Sequence, residues 1–147
     1  FNIPNSSLSR GNAHQGKADW SALICWELAF NNTFTDRVKG TKYIIHMSND
    51  KWYGKSMPTQ HLQYAKARAV ESNKWVARAT LDGISQIISP RLNESSKTLE
   101  RGEKGSITHE ISLNDVDTFY LKHGDAPLLI ISILSLIFGF YSRKNEK

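Results

Sequence analysis

Cysteine is nearly absent: the 147 residues hold one, Cys25, with two methionines and four prolines. A lone thiol excludes an intramolecular disulfide framework and any zinc ribbon built on cysteine pairs. The five histidines form no His-Glu-x-x-His pattern and no close pair, so neither a metal nor a cofactor is expected. Concentrated charge is lacking too. Nineteen Lys+Arg against fourteen Asp+Glu leave a net +5, but Lys39, Lys42, Lys51, Lys55, Lys66, Arg68, Lys74 and Arg78 are scattered. Nucleic-acid binders gather such residues on one stripe or helix, and no zinc-finger or helix-turn-helix spacing occurs. Internal repeats and low-complexity segments are missing. So is a signal peptide, and Phe1-Asn2-Ile3-Pro4 reads as an extended segment entered from upstream sequence. The expectation is the C-terminal part of a longer protein.

What is present is a globular composition: 39% hydrophobic and 10% aromatic residues, too apolar for a disordered polyelectrolyte. The length allows one domain. The apolar residues are unevenly spread. Ala126 to Tyr141 carries no charge and no polar stripe, and Arg143-Lys144 and Lys147 follow it. As a helix that run reaches roughly 24 Å, and His123-Gly124 and Ser142 extend it toward the ~30 Å of a hydrocarbon core. A membrane span over 123–142 is expected, with the basic tail 143–147 on the cytoplasmic side. The competing reading is a buried core helix.

Upstream, Trp20 to Cys25 reads as a buried strand and Phe30 to Lys39 as a helix closed by Gly40. Lys42 to Met47 reads as a second strand, and Gln60 to Asn73 as a helix packing Leu62, Ala65, Ala69 and Val70. Trp75 to Thr80 and Ile84 to Ile88 flank Asp82-Gly83, a hairpin turn signal. Gly105 to Leu113 reads as a last strand. The alternation predicts an α/β or α+β fold.

Cys25 and Glu27 stand at a strand's end, and in an extended segment they project to the same side. Two readings fit that spacing: a reacting thiol beside a carboxylate, or a buried cysteine acting as a small hydrophobe. A thiol near its ordinary pKa of ~8.5 needs a cation or base from elsewhere in the chain.

Ile24-Cys25-Trp26-Glu27-Leu28-Ala29-Phe30 resembles the nucleophile segment of the nitrilase superfamily, which works through a Cys-Glu-Lys triad. Phe1 to Gly11, the loop Ser48-Asn49-Asp50-Lys51-Trp52-Tyr53-Gly54-Lys55-Ser56, Gln60 to Gln63, Ala67 to Glu71 and Arg78-Ala79-Thr80 narrow the likeness. In that order they resemble the apolipoprotein N-acyltransferase family of the bacterial inner membrane. The likeness is nearly continuous from Phe1 to about Ser85, then sparse until Gly124-Asp125 and the final helix.

The resemblance implies a nitrilase-like α-β-β-α sandwich, of which residues 1–122 are the C-terminal part, on the periplasmic side. It implies a two-step acyl transfer from a phospholipid donor, through a Cys25 thioester, to an apolipoprotein acceptor. The protein would act as a membrane-embedded monomer without nucleic acid. Cys25 becomes the nucleophile, Glu27 a supporting carboxylate, and the Trp26 backbone N–H an oxyanion donor. Trp52 and Tyr53 would face the acyl chain or the membrane entrance, on a loop also carrying Gly54. Ser48, Asn49 and Asp50 would hold that loop by side-chain to backbone bonds. His61 is read as a packed or bonded helix residue rather than a base. The family's Glu and Lys belong before the Phe1 motif, and Lys17 and Lys51 do not replace them. The chain alone is expected to be inactive. It departs from the family pattern at Trp26, Asn31-Asn32 and Leu81-Asp82. The alternatives are an amidase-type C–N hydrolase using the same cysteine and an inactive membrane-anchored fragment.

Overall fold

The computed structural model describes residues 19–145, and the side chains of 19–143. The Phe1–Gly11 motif and Lys17 lie outside the described residues. Three parallel strands and two crossover helices build the body. They are β1 (Trp20–Ile24), α1 (Asn31–Val38), β2 (Tyr43–Asn49), α2 (Met57–Ser72) and β3 (Trp75–Leu81). The strand β4 (Gln86–Ile88) turns back antiparallel on β3, giving the order β1-β2-β3-β4. Parallel neighbours need a long connection, and the two helices supply it.

Alternation along the strands separates two faces. Leu23, Ile44, Val76 and Ile88 pack with Leu28, Phe34, Val38, Leu62, Ala65 and Ala69 in the core under the helices. Each large apolar side chain buried there contributes about 1.5–3 kcal/mol. On the opposite face Tyr43, Trp75 and Ile87 are covered by Ile107 and Ile111, whereas Ile24, Met47 and Leu81 at the strand ends stay exposed. A sheet buried by helices on one side and only half covered on the other suits the C-terminal part of an α-β-β-α sandwich.

Local chemistry sets the boundaries. Gly40, at φ 76°, closes α1 as expected, and Asn73 caps α2 in the left-handed region at φ 53°, a conformation asparagine tolerates. Helix α2 starts earlier than its periodicity predicts because Pro58 fits its first turn. Val70 is half exposed rather than packed. The hairpin at Asp82-Gly83 forms.

Two expectations need correction. Residues 105–113 are not a strand: this stretch docks Ile107 and Ile111 on the sheet without pairing, so side-chain burial holds it and no ladder forms. Nor is Cys25 extended. It opens a four-residue 3-10 turn, Cys25–Leu28, so strand alternation does not govern residues 25 and 27.

The chain then forms α3 (Phe119–His123), capped by Thr118, and α4 (Ala126–Asn145). Every large apolar side chain from Leu128 to Tyr141 is more than half exposed, so α4 is not a core helix of the described chain. It is long and apolar enough to cross a membrane. Its base is tied to the body, because Asn31 Nδ2 donates to Asp125 at 2.7 Å.

Candidate functional site

The chemistry-bearing side chains gather where the parallel strands end. Cys25 follows β1 directly, with φ 52° and a partly buried side chain. That left-handed backbone costs a residue with a β-carbon about 1–3 kcal/mol and persists only where its surroundings over-determine it. Three sets of bonds do so. Glu27 accepts the Ile24 N–H at 2.8 Å and pairs with Arg37 at 2.9 Å, bracing the turn from outside. Arg68 of α2 donates from Nε to the Leu28 carbonyl at 2.8 Å and from Nη2 to the Ala29 carbonyl at 3.0 Å, with its guanidinium over Phe34. His46 of β2 takes the Cys25 carbonyl itself, from Nε2 at 3.1 Å.

His46 belongs to a buried chain of polar groups. Arg78 Nη1 lies 2.7 Å from His46 Nδ1, and Arg78 Nη2 lies 2.9 Å from Asp50 Oδ2. Asp50 Oδ1 accepts from the Ser48 hydroxyl at 2.5 Å and from His61 Nδ1 at 2.9 Å. The partners fix the protons. Arginine only donates, so His46 Nδ1 accepts and Nε2 carries the hydrogen given to Cys25. A carboxylate only accepts, so His61 carries its hydrogen on Nδ1. Burial, and then the Arg78 charge, pull the His46 pKa down to about 4, so the ring is neutral at physiological pH. Burial also lowers the Arg78 pKa, opposed by the charge of Asp50.

Aromatic rings cover the Asp50 end. Trp26 Nε1 donates to the Tyr53 hydroxyl at 2.7 Å, and the Trp26 ring meets His61 edge-on at 4.7 Å. His61 is thus a bonded helix histidine, as expected. Trp52 is 84% exposed. The expected loop bonds divide. Asn49 accepts the Lys51 N–H at 3.1 Å, but Ser48 and Asp50 bond side chains rather than backbone. The reason is burial: Asp50 is fully enclosed and has to meet a charge there. Gly54 is exposed, and Arg101 reaches its carbonyl at 3.5 Å. Arg101 also bonds Asp82, and that hydrogen bond and charge hold the Asp82 carboxyl below its usual range.

Gly83 shows how tight this packing is. A β-carbon there would lie 2.5 Å from Asp50 Oδ2 and 3.0 Å from Thr80 Cβ. Gly83→Ala should therefore cost about 1–3 kcal/mol, read as a lowered melting temperature of the full-length protein.

Sequence reasoning missed His46, and it used Arg78 only as a motif residue. The available signal was alternation: His46 follows inward-facing Ile44 in β2, and Arg78 follows inward-facing Val76 in β3.

A parallel β-α-β-α-β body with Cys25 and Asp50 just past the carboxyl ends of β1 and β2 defines an α/β protein with its candidate site at that edge. The chain belongs to the carbon-nitrogen hydrolase family, whose profile matches residues 6–120. It is similar to proteins named apolipoprotein N-acyltransferase. The relative from Shewanella oneidensis is 35% identical over 100% of this chain and 30% of its own length. That from Haemophilus influenzae is 34% identical over 93% and 27%. That from Wigglesworthia glossinidia brevipalpis is 36% identical over 80% and 24%. The chain thus spans less than a third of the length of these relatives.

Proposed function

We propose that this chain is the nucleophile-bearing part of an N-acyltransferase that matures lipoproteins at the bacterial inner membrane. The Cys25 thiolate attacks the ester carbonyl of a phospholipid. The C–O bond breaks, and the lysophospholipid oxygen leaves with a proton. The α-amine of a diacylglyceryl-cysteine apolipoprotein then attacks the thioester, the C–S bond breaks, and an amide forms as the amine loses its proton. The Glu and Lys that move those protons come from segments before the Phe1 motif. The Trp26 N–H serves the oxyanion, and Trp52 faces the acyl chain. No cofactor takes part. Residues 1–122 lie on the periplasmic side, 123–142 cross the membrane, and 143–147 are cytoplasmic.

One observation carries this reading. The lone cysteine holds a left-handed backbone conformation at the start of a 3-10 turn braced by Glu27, Arg68 and His46, within a chain matched end to end by N-acyltransferases. A cysteine acting only as a small hydrophobe needs no such backbone. The exposed apolar helix α4 favours a lipid-facing transferase over an amidase of small substrates.

The test is Cys25→Ser in the full-length protein. N-acylation of lipoproteins should fall by at least about 10³-fold. Intact-mass analysis should find a fatty-acyl addition on Cys25 of the unsubstituted enzyme and none on the variant. Lipoproteins that stay fully N-acylated would overturn the assignment.

A further inference from the structure

The nucleophile turn has two ends, and they are held differently. At its C-terminal end Arg68 spans the Leu28 and Ala29 carbonyls. At its start the Cys25 carbonyl is held by His46 Nε2. Rotation about the N–Cα bond of Cys25 carries its Cβ and its carbonyl carbon together, so a held carbonyl limits where Cβ, and with it the thiol, can sit. His46 is itself immobilised. It is 1% exposed, it stands in the ladder between Leu23 and Arg78, and its second nitrogen is taken by the Arg78 guanidinium. Asp50 anchors that guanidinium in turn, with both side chains fully buried.

We infer that His46 is a positioning residue for the nucleophile: its Nε2–H holds the Cys25 carbonyl, and Arg78 keeps that nitrogen a donor by bonding the other one. This rests on the reading of Cys25 as the reacting thiol. Reacting groups displaced by about 1 Å can lose up to 10²-fold in rate, so one hydrogen bond at the turn has leverage over catalysis.

Two amides separate the bond from the volume. In His46→Gln the side-chain amide reaches the position of Nε2 and can donate to Cys25. In His46→Asn it reaches only the position of Nδ1, which faces Arg78. Both are made in the full-length protein in detergent and followed in two ways. One is acyl-enzyme formation from phospholipid vesicles, by intact mass. The other is alkylation of Cys25 by iodoacetamide between about pH 6 and 9. His46→Asn should slow both reactions at least about tenfold with little change in KM for phospholipid, and His46→Gln should restore most of the rate. Equal rates in the two variants, or wild-type rates in His46→Asn, overturn the inference. If His46→Asn does not fold, His46→Leu against His46→Gln makes the same comparison. The alkylation arm needs no acyl transfer, so it judges His46 even if Cys25→Ser keeps lipoproteins acylated and the functional reading fails.

Discussion

Asp50→Ala is expected to destabilise the protein by about 3–5 kcal/mol, because it strands a buried cation. The Arg78 guanidinium and the Asp50 carboxylate are both fully enclosed and lie 2.9 Å apart. Their attraction offsets the loss of water from two charges, and either charge alone keeps the loss without the attraction. The Ser48 hydroxyl and His61 Nδ1 would lose their acceptor in the same step, leaving further buried donors unpaired. Removing both charges should behave differently. Asp50→Leu combined with Arg78→Met replaces the pair with apolar volume and should recover much of the stability, as buried pairs commonly do. It should not recover activity, since His46 then has no donor facing Nδ1 and no fixed tautomer. Chemical denaturation of the full-length protein in detergent measures the single variants and the cycle. A cost under about 1 kcal/mol for Asp50→Ala, or no coupling between the two sites, would be incompatible with a buried charge pair.

Much of this arrangement is legible in the amino-acid order. The alternation of apolar strands with helical segments, closed by Gly40 and Asn73, is local, and local signals fix strand and helix positions to within a few residues. The uncharged, largely apolar stretch from Ala126 to Tyr141 likewise announces a lipophilic helix. The failures have a common cause: each depends on contacts between segments distant in sequence. Gly105 to Leu113 has strand-like composition, yet Ile107 and Ile111 are satisfied by burial against Tyr43, Trp75 and Ile87. Cys25 reads as the last residue of a strand because the one local brace of the 3-10 turn, the Glu27 bond to the Ile24 N–H, exists only once the turn has formed. The other bonds that hold it come from Arg68, 43 positions on, and from His46. The link between His46 and Arg78 needs the β2–β3 register, which is set only when the sheet assembles. Glu27 was legible as a neighbour of the thiol, but its bonds to the Ile24 N–H and Arg37 make it a brace of the turn.

The same buried histidine predicts how the protein responds to acid. The His46 pKa lies at about 4, lowered by burial and by the Arg78 charge, against 6.5 for an unperturbed side chain. Between those values the unfolded chain binds a proton that the folded chain refuses, so stability falls as pH drops through this window. Above pH 6.5 both states hold a neutral ring and the contribution of His46 is flat. By about pH 4 the accumulated loss reaches about 3 kcal/mol, the free-energy equivalent of the gap between the two values. The groups facing His46 are Arg78 from β3, Asp50 beyond β2, His61 from α2 and the Cys25 carbonyl from the turn. A proton on His46 would set a second cation against Arg78 and remove the acceptor at Nδ1. His46→Gln abolishes this titration while leaving Asp50, His61 and the surface carboxylates in place, so the difference between the two proteins isolates the ring. Melting temperatures of the full-length protein in detergent, read at several pH values from neutral down to the stability limit, should fall more steeply for the wild type than for His46→Gln. Parallel curves would mean that His46 takes up its proton in the folded state as readily as in the unfolded one. A ring donating one hydrogen to Cys25 and accepting another from Arg78 has no lone pair free to do that.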